Sequence, residues 1–400
     1  MPFRKLKKEI GPGVITGSAD NDPAGIITYT TAGALYGYAT LWVMFLITPL
    51  LIVAQEMAAR IALVKKKGLA TIIENNYGKK MATVIVSTLL LANIATIGAD
   101  IAGICAVLGM ITSTNWILWL IPVASMITYI VLEKKYKVIR SILLGLSIML
   151  IVYILSALAA NPNWSDIAAG FVPKIIPEIG FITVVVGLIG TTISPYLLFW
   201  QSSEEVEEHK TILRAREVKE DTIIGMVWST VIAVFIIIAG AETLYTNGIA
   251  PSTVENIALA LKPIAGELTY TLFAIGVIVS GLLALPVLAG STAYAVADLM
   301  GWKRGLNKKP HLAKGFYTVF VLSIVIGVII ALLHQNPVKL MFYTQVLDGF
   351  LTPILIGILL LICNNKKIMG DYTNSRMYNI LGMILLVTML VLDGLLLLTL

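Results

Sequence analysis

The sequence predicts an all-α integral membrane protein with eleven transmembrane helices, of which the first and the sixth are broken. Of the 400 residues, 58% are hydrophobic and 13% are charged, and this charged share is about half that of a soluble domain. The mean hydropathy is +0.89. The apolar runs are continuous and about 20 residues or longer, as spanning helices require, and they lack the alternating pattern of a membrane β-barrel.

Eleven apolar runs define the predicted spans. In chain order they are 13–33, 40–63, 81–111, 116–132, 141–160, 180–202, 222–246, 269–300, 315–334, 340–363 and 376–399. The third and eighth runs are longer than a bilayer is thick, so we expect those helices to tilt or protrude. The connecting segments are too short for a soluble domain, and the chain 1–400 is predicted to be a single membrane domain.

The distribution of charge orients the predicted helices. All but three of the 29 Lys and Arg residues fall on the side of the N-terminus; the exceptions are Lys174, Lys262 and Lys339. Because basic residues concentrate in cytoplasmic segments, we expect a cytoplasmic N-terminus and an external C-terminus in the cell membrane. The formal charge of +6 is thus accounted for by the membrane topology and does not indicate a nucleic-acid partner.

Two spans contain a polar residue directly before a proline near their middle. The first span has Asp22-Pro23 within the segment 17–25, and the sixth has Ser194-Pro195 within 190–196. Proline removes a backbone donor and disfavours a helical conformation in the residue before it. Backbone groups freed inside a bilayer are tolerated only where protein or a water-filled cavity satisfies them. Both spans are therefore predicted to be broken helices.

The positions of the breaks predict an inverted repeat. Helices 1–5 form a first unit (about 10–160), helices 6–10 form a second (about 180–363), and 376–399 is an additional helix. Because an odd number of crossings precedes the second unit, that unit enters the membrane from the opposite side. Matched broken helices in inverted repeats indicate a transporter whose substrate binds between the breaks. The ends of the half-helices then face the ligand with their dipoles and free carbonyls.

Polar side chains at the first break are the leading ligand candidates. Asp22 is predicted to be a cation ligand, because an intramembrane carboxylate needs a partner, and it is also placed to cap the second half-helix. Asp20 and Asn21 precede it. They face the same ion only if the helix has already unwound there, and otherwise they pair with another span.

Two further spans carry polar stripes at helical spacing. Asn93, Thr96 and Asp100 lie on one face of the third span, and Gln345, Asp348 and Thr352 lie on one face of the tenth. We expect Gln345 and Asp348 to contribute to a cation site, since a second carboxylate strengthens the attraction for a dication. We expect Asn93, Thr96 and Asp100 to line the pathway, together with Asn21, Gly25 and Tyr196 at the breaks.

The motifs resemble those of the Nramp family of divalent-metal transporters over nearly the whole chain. The resemblance is carried by Gly-Pro-Gly at 11–13, the Asp-Pro break, Gly-Tyr-x-x-Leu-Trp at 37–42, Gly-x-Thr-x-x-Pro at 190–195, and Thr-Gln-Val-Leu with Pro353 beyond it. It implies the LeuT-like fold. It also implies that Thr191 ligates the metal through its main-chain carbonyl, which Pro195 leaves without an N–H partner.

Both break motifs depart from the family pattern. The usual Asp-Pro-Gly-Asn is here Asp22-Pro23-Ala24-Gly25, so the asparagine ligand is replaced by Gly25. The usual Met-Pro-His is here Ser194-Pro195-Tyr196, which removes both the thioether and the histidine. We expect the Ser194 hydroxyl to bind the ion or an ion-bound water molecule, and the alternative is a hydrogen bond back to its own helix. A thioether favours soft metals, whereas Mg²⁺ takes oxygen ligands and retains water molecules.

The departures resemble the Nramp-related magnesium transporters, and we expect Mg²⁺, and also Mn²⁺, as the substrate. A second family histidine aligns with Gln201, and Asn93 and Gly103 replace two family acids, so the resemblance implies transport without proton coupling. The alternatives are a proton-coupled Mn²⁺/Fe²⁺ transporter, a carrier of another small cation, a channel, and an organic-cation or amino-acid carrier. We expect neither a cofactor nor enzymatic activity, because no nucleophile–base pair or phosphate loop is present.

Overall fold

A computed structural model describes residues 12–133, 145 and 148–398, and within these residues all regular secondary structure is helical. In chain order, the helices up to residue 159 are α1 (Pro12–Ala19), α2 (Pro23–Tyr36), α3 (Leu41–Lys65), α4 (Leu69–Tyr77), α5 (Lys79–Thr112), α6 (Leu120–Glu133) and α7 (Ile151–Ala159). The remaining helices are α8 (Trp164–Gly170), α9 (Ile179–Thr192), α10 (Pro195–Glu207), α11 (Ala215–Gly240), α12 (Val254–Ala258), α13 (Lys262–Ala265), α14 (Thr269–Leu299), α15 (Lys314–Leu333), α16 (Pro337–Asn364), α17 (Lys366–Met369) and α18 (Arg376–Leu397).

The predicted spans correspond closely to these helices. Nine helical stretches among the described residues are long and apolar enough to cross a membrane, and each coincides with a predicted span. The first predicted span is the pair α1 and α2, whose polar break lowers its hydropathy. The fifth, 141–160, lies partly outside the described residues and is seen as a helix only in its second half.

Both predicted breaks are present, and each is followed by a proline at the first position of the next half-helix. Asp22 is extended (φ −71°, ψ 171°) before α2, and Ser194 is extended (φ −68°, ψ 137°) before α10. Proline has a φ suited to a helix start and lacks only an N–H that no helix bond would use there. The extended residue before each proline follows from the clash that proline imposes on its predecessor.

The broken helices form the centre of the molecule. In the most apolar 18-residue stretch of each span, 89% of the residues are buried for the span formed by α9 and α10, 22% for α6 with its preceding turn and 28% for α18. The half-helices α1 and α2 pack along α11, and α9 packs along α16. Around this centre, α5 packs against α14, α15 and α16, and α6 and α18 lie at the periphery.

The close packing of α1 on α11 depends on glycine. A Cβ at Gly17 would lie 2.0 Å from the carbonyl oxygen of Gly225, and a Cβ at Gly225 would lie 2.1 Å from that of Gly13. The Gly13 N–H also donates to Asp221 Oδ2 at 2.7 Å. These contacts are between main-chain atoms, so neither helix can make room for a side chain, and α1 is held firmly against α11.

Candidate functional site

Asp22 lies between the two half-helices of the first span and caps the second one. Its Oδ1 accepts a hydrogen bond from the Gly25 N–H at 2.5 Å, and the residue is 1% exposed. A Cβ at Gly25 would lie 2.8 Å from Asp22 Oδ1 and 2.8 Å from Thr191 Oγ1. The glycine in place of the family asparagine therefore lies where the two broken helices bring their oxygens together.

Ser194 bonds back to the end of its own first half-helix. Its hydroxyl lies 2.8 Å from the Thr191 carbonyl oxygen and 3.0 Å from that of Gly190, and it donates to them. The Thr191 carbonyl that Pro195 leaves without an N–H partner is thus not free, as the sequence had suggested, but accepts from Ser194. The Thr191 hydroxyl is the unpaired group, with no hydrogen-bond partner among the described residues.

Asp20 and Asn21 are directed toward the seventh span, α11. The Ser229 hydroxyl donates to Asp20 Oδ2, and Asn21 Nδ2 donates to Ser229 Oγ at 3.1 Å. Both residues thereby anchor the break to α11, in line with the alternative that they pair with another span. Asp20 Oδ1 and Asn21 Oδ1 are buried and have no partner among the described residues.

The polar stripe of the third span faces three different neighbours. Asn93 Nδ2 donates at 2.9 Å to both Ser291 and Thr292 of α14. Thr96 donates to Asp348 Oδ2 at 3.2 Å, which joins the third span to the tenth. One turn further along α5, Asp100 Oδ1 accepts from the Ala24 N–H at 3.1 Å, so this stripe reaches the first break.

The polar stripe of the tenth span lies beside the sixth span. Thr352 donates to the Ile193 carbonyl oxygen at 3.1 Å, inside the second break. Gln345 is fully buried, and both its amide oxygen and its amide nitrogen are unpaired among the described residues. Asp348 also retains one unpaired oxygen, Oδ1. The third and tenth spans therefore surround the two breaks with carboxylate and amide groups.

Two tyrosines connect the broken helices to each other. The Tyr196 hydroxyl donates to the Ala19 carbonyl oxygen at 2.9 Å, which joins the start of α10 to the end of α1. The hydroxyl groups of Tyr29 and Thr192 lie 3.3 Å apart, which joins α2 to the end of α9. The phenol at the family histidine position thus makes a bond between the two breaks.

Four buried carboxylates lie around the first break without a compensating cation. Asp20, Asp100 and Asp348 are each close enough to Asp22 for electrostatic repulsion. None of the four takes part in a salt bridge within the part of the chain that the structure describes. Burying an ionised carboxylate without a partner is very unfavourable. The arrangement therefore favours a bound cation, and its unpaired groups are oxygens.

The site differs from a protein metal cage of His, Cys and acidic ligands. Within 12–133, 145 and 148–398, no group of three or more His, Cys, Asp or Glu side chains is arranged to hold a metal ion. Both cysteines, Cys105 and Cys363, are buried and unbridged.

The candidate site is enclosed. Its predicted ligands Asp20, Asp22, Thr191, Ser194, Gln345 and Asp348 are each at most 1% exposed. A surface cavity of about 690 Å³ lies elsewhere, lined by the ends of α5, α15 and α16 and including Glu255 and His334. Access of an ion to the breaks therefore requires movement of the surrounding helices.

Several groups in this region were not predicted from the sequence. Ser229 holds Asp20 and Asn21, and the main-chain groups of Ala19 and Ala24 are bonded by Tyr196 and Asp100. Isolated serines and alanines in apolar helices occur throughout the chain and carry no periodic signal. Only the packing of the spans reveals these contacts.

Comparison with known proteins gives a consistent result. A family model described as natural resistance-associated macrophage protein-like (Nramp) matches residues 13–399. The divalent metal cation transporter MntH of Caldanaerobacter subterraneus subsp. tengcongensis is 27% identical, over 99% of this chain and 94% of that protein. The divalent metal cation transporter MntH of Deinococcus radiodurans is 23% identical, over 98% of this chain and 90% of that protein.

Solved structures share the fold. The Eremococcus coleocola manganese transporter superimposes with a TM-score of 0.84 at 20% identity, over 98% of this chain and 86% of that one. The nucleobase-cation-symport-1 family transporter Mhp1 gives a TM-score of 0.61 at 13% identity, over 97% and 92% of the two chains. These likenesses confirm the predicted all-α membrane architecture with a LeuT-like arrangement of spans.

Proposed function

This chain belongs to the Nramp family, and from that premise we propose that it is a cell-membrane transporter of divalent metal cations that carries mainly Mg²⁺ and also Mn²⁺. The observation that carries the proposal is the set of buried, unpaired oxygens around Asp22. It includes Thr191 Oγ1, Asp100 Oδ2 and Asp348 Oδ1. Such a set in a low-dielectric interior is stabilised by a dication, which attracts several carboxylates at once.

The proposed ion site is built on the first and sixth breaks. Asp22 supplies the carboxylate, and Thr191 and Ser194 supply hydroxyl or carbonyl oxygens from the sixth span. Gln345 and Asp348 approach from the tenth span, and Asp20 contributes charge from the far side of the break. Gly25, Asn93, Thr96, Asp100 and Tyr196 line or support the pathway, as expected from the sequence.

The donor types at the breaks support Mg²⁺. Ser194 stands at the family's methionine position, so that position offers no soft ligand, and soft ligands are what favour transition metals over hard cations. Gly25 adds no side chain where the family has an asparagine. Mg²⁺ binds through one or two carboxylates and keeps several water molecules, and a site with few protein ligands and one central carboxylate suits that behaviour.

The same replacements support transport without proton coupling. Tyr196 and Gln201 occupy the family's histidine positions, and neither side chain titrates near neutral pH. Gln201 Nε2 donates to Thr222 at 2.6 Å, so its amide serves a contact with α11. Asn93 and Gly103 stand at two positions where relatives carry acids on the third span. These replaced positions therefore supply no acid or imidazole for a proton relay.

We further propose alternating access with the N-terminus in the cytoplasm and the C-terminus outside. The enclosed site supports alternating access, since an open channel would expose its ligands to water. The charge distribution supports the orientation. The first five predicted spans and the next five are proposed to be the two inverted units of a single transport domain, with α18 outside the repeat.

Uptake into proteoliposomes tests the substrate and the coupling together. The vesicles contain a Mg²⁺ indicator and a pH probe, and Mn²⁺ is added as a competitor. We expect Mg²⁺ entry without acidification, and loss of that entry in Asp22→Ala. The control for removing a carboxylate is Asp371→Ala, because Asp371 is an exposed acid in the loop before α18. This variant should transport normally.

A proton-coupled Mn²⁺/Fe²⁺ transporter is the second candidate. The relatives named as MntH and the manganese transporter of similar structure favour it. Mn²⁺ entry that acidifies the vesicles and is unaffected by millimolar Mg²⁺ would support this candidate, and it would contradict the roles assigned to Ser194 and Tyr196.

A further inference from the structure

The break in the first span leaves main-chain groups without a helix partner at both of its ends. Ala19, the last residue of α1, is four residues before Pro23, which has no N–H to bond its carbonyl. At the other end, the Ala24 N–H belongs to the first turn of α2, whose donors have no partner within the helix. Asp22 Oδ1 accepts from the Gly25 N–H, which leaves the Ala24 N–H without a local acceptor.

Side chains from two other spans satisfy these groups. The Tyr196 hydroxyl of α10 donates to the Ala19 carbonyl oxygen at 2.9 Å. Asp100 of α5 accepts from the Ala24 N–H through Oδ1 at 3.1 Å. The four residues between Ala19 and Ala24 include Asp22. They are therefore flanked on both sides by hydrogen bonds to side chains of other spans.

The same face of α5 also receives the ring of Pro23. A Cβ at Gly103, three residues after Asp100, would lie 3.2 Å from Pro23 Cβ. A Cβ at Gly281 of α14 would lie 3.2 Å from Pro23 Cγ. The two glycines thus leave a slot for the proline ring, and Asp100 bonds the residue that follows the ring. Both contacts fix where the main chain turns at Asp22.

We propose that Asp100 and Tyr196 are positioning residues, which fix the main chain on either side of Asp22 and thereby set the location of its carboxylate. Asp100 acts through its bond to Ala24 and Tyr196 through its bond to Ala19. The alternative for Asp100 is that its charge acts on the ion directly, through the unpaired Oδ2. The two roles make different predictions for an asparagine at this position, which retains the hydrogen-bond acceptor and loses the charge.

Asp100→Asn and Asp100→Ala separate the roles. Asparagine retains an Oδ1 that accepts from the Ala24 N–H but carries no charge, and alanine retains neither. Amide hydrogen exchange of purified protein, resolved at Ala24 by fragmentation, reports on the bond without reference to transport. We expect exchange in Asp100→Asn to stay within about threefold of wild type and exchange in Asp100→Ala to be at least about tenfold faster, since an unbonded amide exchanges from less protected states. Equal exchange in all three proteins would overturn the proposal.

Transport kinetics supply the second measurement, and only this one rests on the proposed function. With Mg²⁺ as the probe, we expect Asp100→Ala to raise KM about tenfold more than Asp100→Asn does, and to change the maximal rate less. If both variants raise KM equally, the charge of Asp100 is required and the positioning role is wrong. Asp371→Asn and Asp371→Ala are the matched pair at an exposed site.

Tyr196→Phe tests the other end of the break and does not depend on the folding of Asp100→Ala. Removing the hydroxyl deletes the donor to Ala19 and keeps the ring, so we expect KM to rise severalfold. A wild-type KM in Tyr196→Phe would overturn the role of this residue. If wild-type protein carries neither Mg²⁺ nor Mn²⁺, the proposed function fails, and the exchange measurement at Ala24 still decides whether Asp100 positions the break.

Discussion

Gly25→Ala is the most direct test of the site, because it fills the space between two proposed ligands. The added Cβ would lie 2.8 Å from both Asp22 Oδ1 and Thr191 Oγ1, and 3.3 Å from the main-chain oxygen of Asp20. The two nearer atoms are the ends of side chains, so each can withdraw by several tenths of an ångström. The fold can therefore absorb the methyl group, but the two oxygens cannot keep their present arrangement.

The expected change in stability is small because two effects oppose each other. Weakening the Asp22 cap costs about 1 kcal/mol, and replacing glycine by alanine within a helix contributes up to about 1 kcal/mol. The effect on ion binding is larger, since an interaction with a charged group contributes about 1.5–3 kcal/mol. At about 1.4 kcal/mol for each tenfold change, KM should rise by roughly 10-fold to 100-fold.

The assay is the initial rate of Mg²⁺ uptake against concentration, with the unfolding temperature measured on the same preparation. Gly357→Ala is the matched control, because a Cβ there meets no atom within 4 Å and the position is also within a spanning helix. A wild-type KM in Gly25→Ala would refute the assignment of Asp22 and Thr191 as ligands. If Gly25→Ala does not fold, Thr191→Val removes the hydroxyl alone and tests the same contact.

Three further predictions concern selectivity and stability. Ser194→Met restores a soft ligand, so Mn²⁺ or Cd²⁺ should inhibit Mg²⁺ uptake at about tenfold or more lower concentration, as measured by competition. Gly17→Ala places a Cβ 2.0 Å from the carbonyl oxygen of Gly225. Such overpacking costs about 1–3 kcal/mol, so the unfolding temperature of this variant should fall. The unfolding temperature of the control Gly394→Ala should not fall, because a Cβ at Gly394 meets no neighbour within 4 Å. Gln345→Leu removes two buried unpaired groups, each unfavourable by about 1–3 kcal/mol, so its unfolding temperature should rise while uptake falls; a fall in both would show that Gln345 serves the fold.

The breaks were predictable because their causes are local. A polar residue before proline inside an apolar run is enough to end one helix and start the next, and Asp22 is a helix cap by its own chemistry. The spans were predictable for the same reason, since the length and hydropathy of each run are properties of the run itself. Nine predicted spans coincide with helical stretches among the described residues, of which the sixth is the broken pair α9 and α10, and the first predicted span is the broken pair α1 and α2.

The partners of the break residues were not predictable because their causes are not local. Asp20 and Asp22 are two residues apart, yet Asp20 bonds to Ser229 of α11 and Asp22 bonds to Gly25 of its own half-helix. Which acid faces the sixth span depends on how the unwound chain turns. That turn is set by contacts with α5, α10 and α11, and a one-dimensional pattern contains no distance between spans.

Asp22 caps α2 and is also the proposed cation ligand. Both roles use the same carboxylate, so the sequence alone cannot distinguish them. A helix N-terminus carries about half a positive charge, which stabilises a carboxylate at its cap. This partial charge offsets only part of the charge of four ionised carboxylates, and the proposed cation would stabilise them further. In the proposed site, an ion bound to Asp22 Oδ1 would compete with the Gly25 N–H for the same oxygen. Ion binding and the first turn of α2 would then be linked through one atom.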